Sequence, residues 1–175
     1  MTGRFPLFSR LLHWAMAAMV LAMLFIGVAM AASLADYHRL IAIHRPLGIL
    51  ILVLAIVRLA NRLIHRAPPL PPDMPRPLRR AAHASHVLLY VLMIALPLVG
   101  WAMLSAAGNP IVLVSGLHLP PILPHSDQLY ALLRPLHAAL AFLLFGMFLV
   151  HLGAAMMHAL IFRDGVFQTM VSWRR

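Results

Sequence analysis

The stretch RPLHAALAFLLFGMFLVHLGAAMMH, residues 134–158, is apolar throughout except for Arg134 and three histidines, His137, His151 and His158. Read as an α-helix at about 100° per residue, the step from His137 to His151 passes through nearly four full turns. The two imidazoles therefore share a face, roughly 21 Å apart along the axis. His158 continues that face within about 20°. The run is long enough to cross a bilayer core, which takes about 20 residues. In water a lone histidine is more often packed or hydrogen-bonded than a ligand. Inside lipid an ionisable side chain is costly and defaults to a functional assignment. Two in register, each needing a partner on another helix, point to ligands held at two depths.

The rest of the composition fits a membrane setting. Of 175 residues, 63% are hydrophobic and 10% are charged, against about 25% charged in a soluble domain. The length indicates a single domain, residues 1–175. Cysteine is absent. That excludes disulfides, thiolate metal sites, iron–sulfur clusters and haem attached through C-x-x-C-H. With 11 histidines and 12 methionines, metal ligation must rest on imidazole, with thioether the weaker donor. The formal charge of +10 comes from 14 arginines against Asp36, Asp73, Asp127 and Asp164. In a soluble protein it would suggest nucleic acid. Here the arginines stand at the ends of apolar runs, so lipid headgroups, not nucleic acid, are the expected partners.

Four apolar spans are predicted, at about 11–32, 40–64, 82–105 and 129–162. The first follows a short basic start. It is too long for a signal-peptide core of about 7–15 residues, so it reads as a retained helix. The second holds His44 near its start and Arg58 near its end; Pro46 predicts a kink or a late helix start. A proline-dense loop, about 62–80, should be extended. The third span opens on His83 and His86, and Pro97 should kink it. The loop at 106–130 is the longest, with a short interfacial segment expected at 111–114. Trp14, Trp101, Trp173 and the methionines are assigned to packing and the interface.

Charge sets the orientation. With four spans, both termini lie on the side of the 62–80 loop. That side carries Arg4, Arg10, Arg58, Arg62, Arg66, Arg76, Arg79, Arg80, Arg163, Arg174 and Arg175; the other carries Arg39, Arg45 and Arg134. The positive-inside rule then predicts cytoplasmic termini. Sequence position becomes depth. His13 enters from the cytoplasm, His44 and His137 enter from outside, and His151 lies deeper toward the cytoplasm. The pairs that follow are His44 with His137 at an outer haem, and His13 with His151 at an inner one. Two imidazoles on one iron leave no open position, so such a site passes electrons.

Arg58, fourteen residues after His44, faces the same way at inner depth and is the candidate partner of a haem propionate. Arg10 is a second inner candidate; Arg45 and Arg134 are outer ones. His83 and His86 are rival inner ligands, expected to lie shallower than His151. His158, shallower still, is placed to bond a quinone carbonyl and hand over a proton.

The His-Trp pair opening the first span, the single early His44 of the second, Ala82-His83 to His86 with Leu96-Pro97-Leu98-Val99-Gly100-Trp101 in the third, and the His137–His151 spacing together resemble the bacterial cytochrome b561 family over essentially the whole chain. More distantly the pattern is similar to the dihaem membrane subunits of formate dehydrogenases and nickel–iron hydrogenases. The resemblance implies an all-α membrane protein, a four-transmembrane-helix bundle in the bacterial inner membrane holding two b haems. It carries the ligand roles onto His13, His44, His137 and His151. It implies ubiquinone near the inner haem as acceptor. It also implies superoxide oxidation at the periplasmic face, a superoxide:ubiquinone oxidoreductase. The chain departs from the expected pattern in having no lysine and in placing Pro46 two residues after a ligand. A mouth lined by Arg39, Arg45, Arg134, His38, His118 and His125 would steer a small anion. The alternative function is an electron-carrier subunit docked to a dehydrogenase or hydrogenase, with a redox protein as partner. A haem-free transporter is a third class.

Overall fold

The structure, a computed structural model, describes residues 4–65, 68–113 and 116–171. Arg66, Trp173, Arg174 and Arg175 of the charge and interface arguments lie outside it, as does Val114 of the expected interfacial segment. The chain forms four long helices: α1 (Leu7–Ala32), α2 (Tyr37–Ile64), α3 (Arg76–Ala106) and α4 (Asp127–Met156). A π-helical turn, Met157–Phe162, continues α4, and a short α5 covers Gln168–Val171. All four long helices are apolar and long enough to cross a membrane, and among the described residues there is no strand, only a bridge between Val112 and His118.

Helix ends follow local chemistry. Pro6 precedes α1 in extended geometry, as its fixed φ allows. α3 begins at Arg76 with Pro77 in its first turn, where a missing N–H costs nothing. That start lies ahead of the apolar run, because hydropathy marks where lipid begins, not where the helix does. At α4 the Ser126 hydroxyl accepts from the Leu129 N–H at 3.3 Å, and Asp127 occupies the first turn, both favourable at a helix N-terminus. The late start considered for α2 does not occur: the helix begins at Tyr37, ahead of Pro46.

α1 packs on α2, α2 on α3 and α3 on α4. α4 makes only sparse backbone contact with α1 and α2. Accordingly α4 buries Leu144 alone. Its outward residues, such as Phe142 at 74% exposure and Leu160 at 65%, present an apolar surface that only lipid can cover without cost. The main core cluster joins Val20, Met23, Ile51, Leu92, Leu96 and Leu144 across all four helices. A second, of Leu12, Met16 and Ala55, lies toward the chain ends.

Both chain ends meet at one end of the bundle. The Phe5 N–H donates to the Thr169 carbonyl, the Trp14 Nε1–H to the Met170 carbonyl at 3.2 Å, and Asn61 Nδ2 to Ser9 Oγ at 2.6 Å. At the other end the 107–126 loop folds back over α3. Trp101 Nε1 donates to the Pro120 carbonyl at 3.0 Å, and the Ile122 N–H to Ser105 Oγ at 3.1 Å. Gly108 turns that loop at φ +69°, a conformation that favours glycine.

Candidate functional site

A fourteen-residue step recurs on every long helix. α1 carries His13, Val20 and Gly27; α2 carries His44, Ile51 and Arg58; α3 carries His86, Met93 and Gly100; α4 carries His137, Leu144 and His151. Because fourteen residues make nearly whole turns, each set stays on one face. The helices alternate in direction, so the sets meet in three layers. Val20, Ile51 and Leu144 are buried together, with Met93 packed against them. This apolar layer divides a layer of His13, Arg58, His86 and His151 from one of Gly27, His44, Gly100 and His137.

In the layer toward the 107–126 loop, the His44 and His137 rings face each other with centres 6.2 Å apart and planes at 66°. Nδ1 of each is buried with no hydrogen-bond partner among the described residues, and so is Nε of Arg45. Gly100 is the reason His137 fits where it does. A Cβ there would stand 3.1 Å from His137 Cε1 and 3.4 Å from Nδ1. A Cβ at Gly27 would meet nothing within 4 Å.

In the layer toward the chain ends, the His13 and His151 rings face each other at 6.3 Å and 72°. Arg58 Nη2 lies 2.9 Å from His13 Nδ1. A guanidinium only donates, so His13 Nδ1 accepts. Arg58 also sits over the Tyr90 ring at 6.0 Å, while its Nη1 is buried without a hydrogen-bond partner among the described residues. Trp14 stands edge-on to His13 at 5.3 Å.

The residues present fit a ring-shaped metal group gripped from both faces. A metal ion sits about 2 Å from an imidazole nitrogen, and that nitrogen about 1.1 Å from its ring centre. Two imidazoles on one ion therefore have centres about 6.3 Å apart. The observed 6.2 and 6.3 Å match. Buried nitrogens on Arg45 and Arg58 are donors suited to carboxylates, and α4 stands off from the two helices that bear the partner histidines. Among the described residues no three metal-binding side chains converge to hold a bare ion.

His86 is closer to this site than depth reasoning allows. Its ring centre is 5.5 Å from that of His151, so the expectation that it lies shallower is corrected. α3 lies directly against α4, and lateral neighbours cannot be read from sequence depth alone. At 5.5 Å the pair is too close to share an ion between opposed rings, and the 6.3 Å pair is not. His83 is exposed. His158 lies in the π-turn, off the α-helical register expected for it. Its Nδ1 is 2.7 Å from Asp164 Oδ2, a contact that the sequence reading missed. Beneath the loop, Trp101, Asn109, Ile111, Leu119 and His125 line a cavity of about 250 Å³ that contains none of the paired histidines.

Comparison with known proteins bears on this arrangement. The sequence model of the family described as prokaryotic cytochrome b561 matches residues 4–173. Cytochrome b561 homolog 2 of Escherichia coli K12 is 30% identical over 96% of this chain and 91% of its own length. The probable superoxide oxidase CybB of Yersinia pestis is 31% identical over 76% of this chain and 75% of its own length. Cytochrome b561 homolog 1 of E. coli K12 is 26% identical over 99% of each chain. The chain belongs to the prokaryotic cytochrome b561 family, multi-pass membrane proteins that bind haem b and transfer electrons.

Proposed function

We propose that this b561-family chain carries electrons across the bacterial inner membrane through two b haems, from superoxide on the periplasmic side to ubiquinone near the cytoplasmic side. The observation that carries the reading is the pair of opposed imidazole couples, His44 with His137 and His13 with His151, at matching separations of 6.2 and 6.3 Å. The superoxide assignment draws on the name of the 31%-identical relative. When bound, haem supplies a reversible one-electron centre whose potential the protein sets.

The chain's own residues define the rest. His44 with His137 would hold one haem and His13 with His151 the other, and donors and acceptors would then exchange electrons without binding iron. Arg58 aims a spare donor into the inner layer and is assigned to a propionate. Were His13 to hold iron through Nε2, its Nδ1 would carry a proton that a guanidinium cannot donate to, and Arg58 would be free to hold the propionate. Leu144, Val20 and Ile51 keep water out of the space between the couples. Positive charge at the outer end, from Arg39, Arg45 and Arg134, steers a small anion. Two superoxide anions give two dioxygen molecules and two electrons; ubiquinone takes those electrons and two protons to become ubiquinol. Cytoplasmic termini place proton uptake on that side.

The test is a haem-to-protein ratio and a superoxide challenge on the purified chain. Two haems per chain are expected, with reduction by superoxide that slows as salt rises. One haem per chain, or slow and salt-insensitive reduction, rejects the reading.

A further inference from the structure

The most buried face of α1 ends in a glycine. Met16, Val20 and Met23 are buried on this helix. At about 100° per residue they lie within about 40° of the direction a side chain at Gly27 would take. Phe25 and Val28, 67% and 64% exposed, turn the other way, to lipid. A Cβ on Gly27 would therefore point into the bundle, yet it meets no atom of the described residues within 4 Å. The helices have not simply drawn apart at this depth. One turn earlier on α1, Met23 Cε stands 3.8 Å from where a Cβ on Gly48 of α2 would lie. Across the layer, a Cβ on Gly100 of α3 would stand 3.1 Å from His137 Cε1. The room is confined to the side that Gly27 faces. Glycine inside a helix is destabilising relative to alanine, and no neighbour in the packing of α1 requires one there. The two helices that give no histidine to the outer couple, α1 and α3, thus both present glycine to it. In the inner layer the corresponding two helices, α2 and α3, present Arg58 and His86.

We infer that Gly27 determines whether the outer site takes its haem, because the room beside it is where the flat group spreads toward α1. The inference rests on the electron-transfer reading above and adds one wall of the outer site. A planar group gripped by His44 on α2 and His137 on α4 extends sideways, toward α1 and α3. On the α3 side the His137 ring already lies against Gly100, so the spare room is on the α1 side. Side-chain volume at position 27 then competes with the haem and not with the fold. The buried layer of Val20, Ile51 and Leu144 stands between Gly27 and the inner couple, so the inner haem is insulated from the change. Helix propensity and haem binding pull in opposite directions at this one position, which separates a cofactor role from a packing role.

The experiment loads the full chain with haem b at limiting haem and reads haem per chain, the visible spectrum and thermal melting. Gly27→Leu should weaken the outer haem roughly 10- to 100-fold, the equivalent of overpacking a close contact. Gly27→Ala should fall between it and wild type. In a His44→Ala chain, expected to keep the inner haem alone, adding Gly27→Leu should leave haem content and spectrum as they are. It should also raise the melting temperature by about 2–4 °C, since leucine forms helix better than glycine and its Cβ meets no neighbour. In a His13→Ala chain, expected to keep the outer haem alone, the same change should leave no haem. A Gly27→Leu chain that holds both haems with the outer spectrum unchanged overturns the inference. Equal loss of the inner haem overturns it too, as does a lower melting temperature in the His44→Ala chain, which would make Gly27 a packing residue of α1. If the unaltered chain holds fewer than two haems, the reading above fails and takes this inference with it. Two haems in both the unaltered and the Gly27→Leu chains reject this inference alone.

Discussion

Gly100→Ala tests the outer site without touching a proposed ligand. The added methyl would stand 3.1 Å from His137 Cε1, tighter than carbon atoms normally approach, so the imidazole or α3 must yield by a few tenths of an ångström. Overpacking of this kind costs about 1–3 kcal/mol. Against it stands a helix-propensity gain of about 1 kcal/mol for replacing glycine by alanine. The two nearly cancel for the fold as a whole. They do not cancel at His137, where the cost is concentrated and the propensity gain does nothing for ring position. A displacement that costs even ~1.4 kcal/mol at the outer couple weakens haem there tenfold.

The assay is redox titration of the visible spectrum with a haem-to-protein ratio, on chains loaded at limiting haem. Gly100→Ala should lower occupancy of the outer haem about tenfold relative to the inner one, and Gly100→Val should abolish it. Gly146→Ala and Gly153→Ala are the controls, because a Cβ at either meets nothing within 4 Å. Both should keep two haems. If Gly100→Ala retains both haems with unchanged potentials, or if Gly146→Ala does equal harm, the close approach of His137 to α3 is not what seats the outer group.

The remaining tests separate the layers. Ala at His44 or His137 should remove the outer haem and spare the inner, and Ala at His13 or His151 should do the reverse, read as haem per chain. His86→Ala should keep two haems, with any spectral change confined to the inner one; a lost haem with His13→Ala silent would give the inner site to His86 and His151. Arg58→Leu should lower the inner midpoint potential by on the order of 60 mV, the one-electron equivalent of a tenfold change. Removing a nearby cation favours the more positive oxidised iron, so a rise would refute the propionate assignment.

How much of this was legible follows from what a helix does to spacing. His137 and His151 announce a shared face because fourteen residues close nearly whole turns, and the same step links His44 to Arg58. Depth was legible because each apolar run fixes direction, so partners on antiparallel helices could be matched by position. Lateral placement was not. His86 reaches His151 because α3 lies against α4, and no hydropathy pattern encodes which helix is beside which. Gly100 was visible only as one residue of the Leu96–Trp101 stretch, since its contact is with a side chain on another helix. Asp164 was hidden for a different reason. Six residues is not a step that aligns side chains on an α-helix, and only the widened turn and the left-handed Arg163 bring Asp164 back to His158. The positions that sequence periodicity predicts well are those repeated by the helix; the positions it misses are where the helix is interrupted or meets a neighbour. Contacts made through such breaks are held by local geometry more than by buried area, so a change that straightens Arg163 should part Asp164 from His158 while leaving both imidazole couples in place.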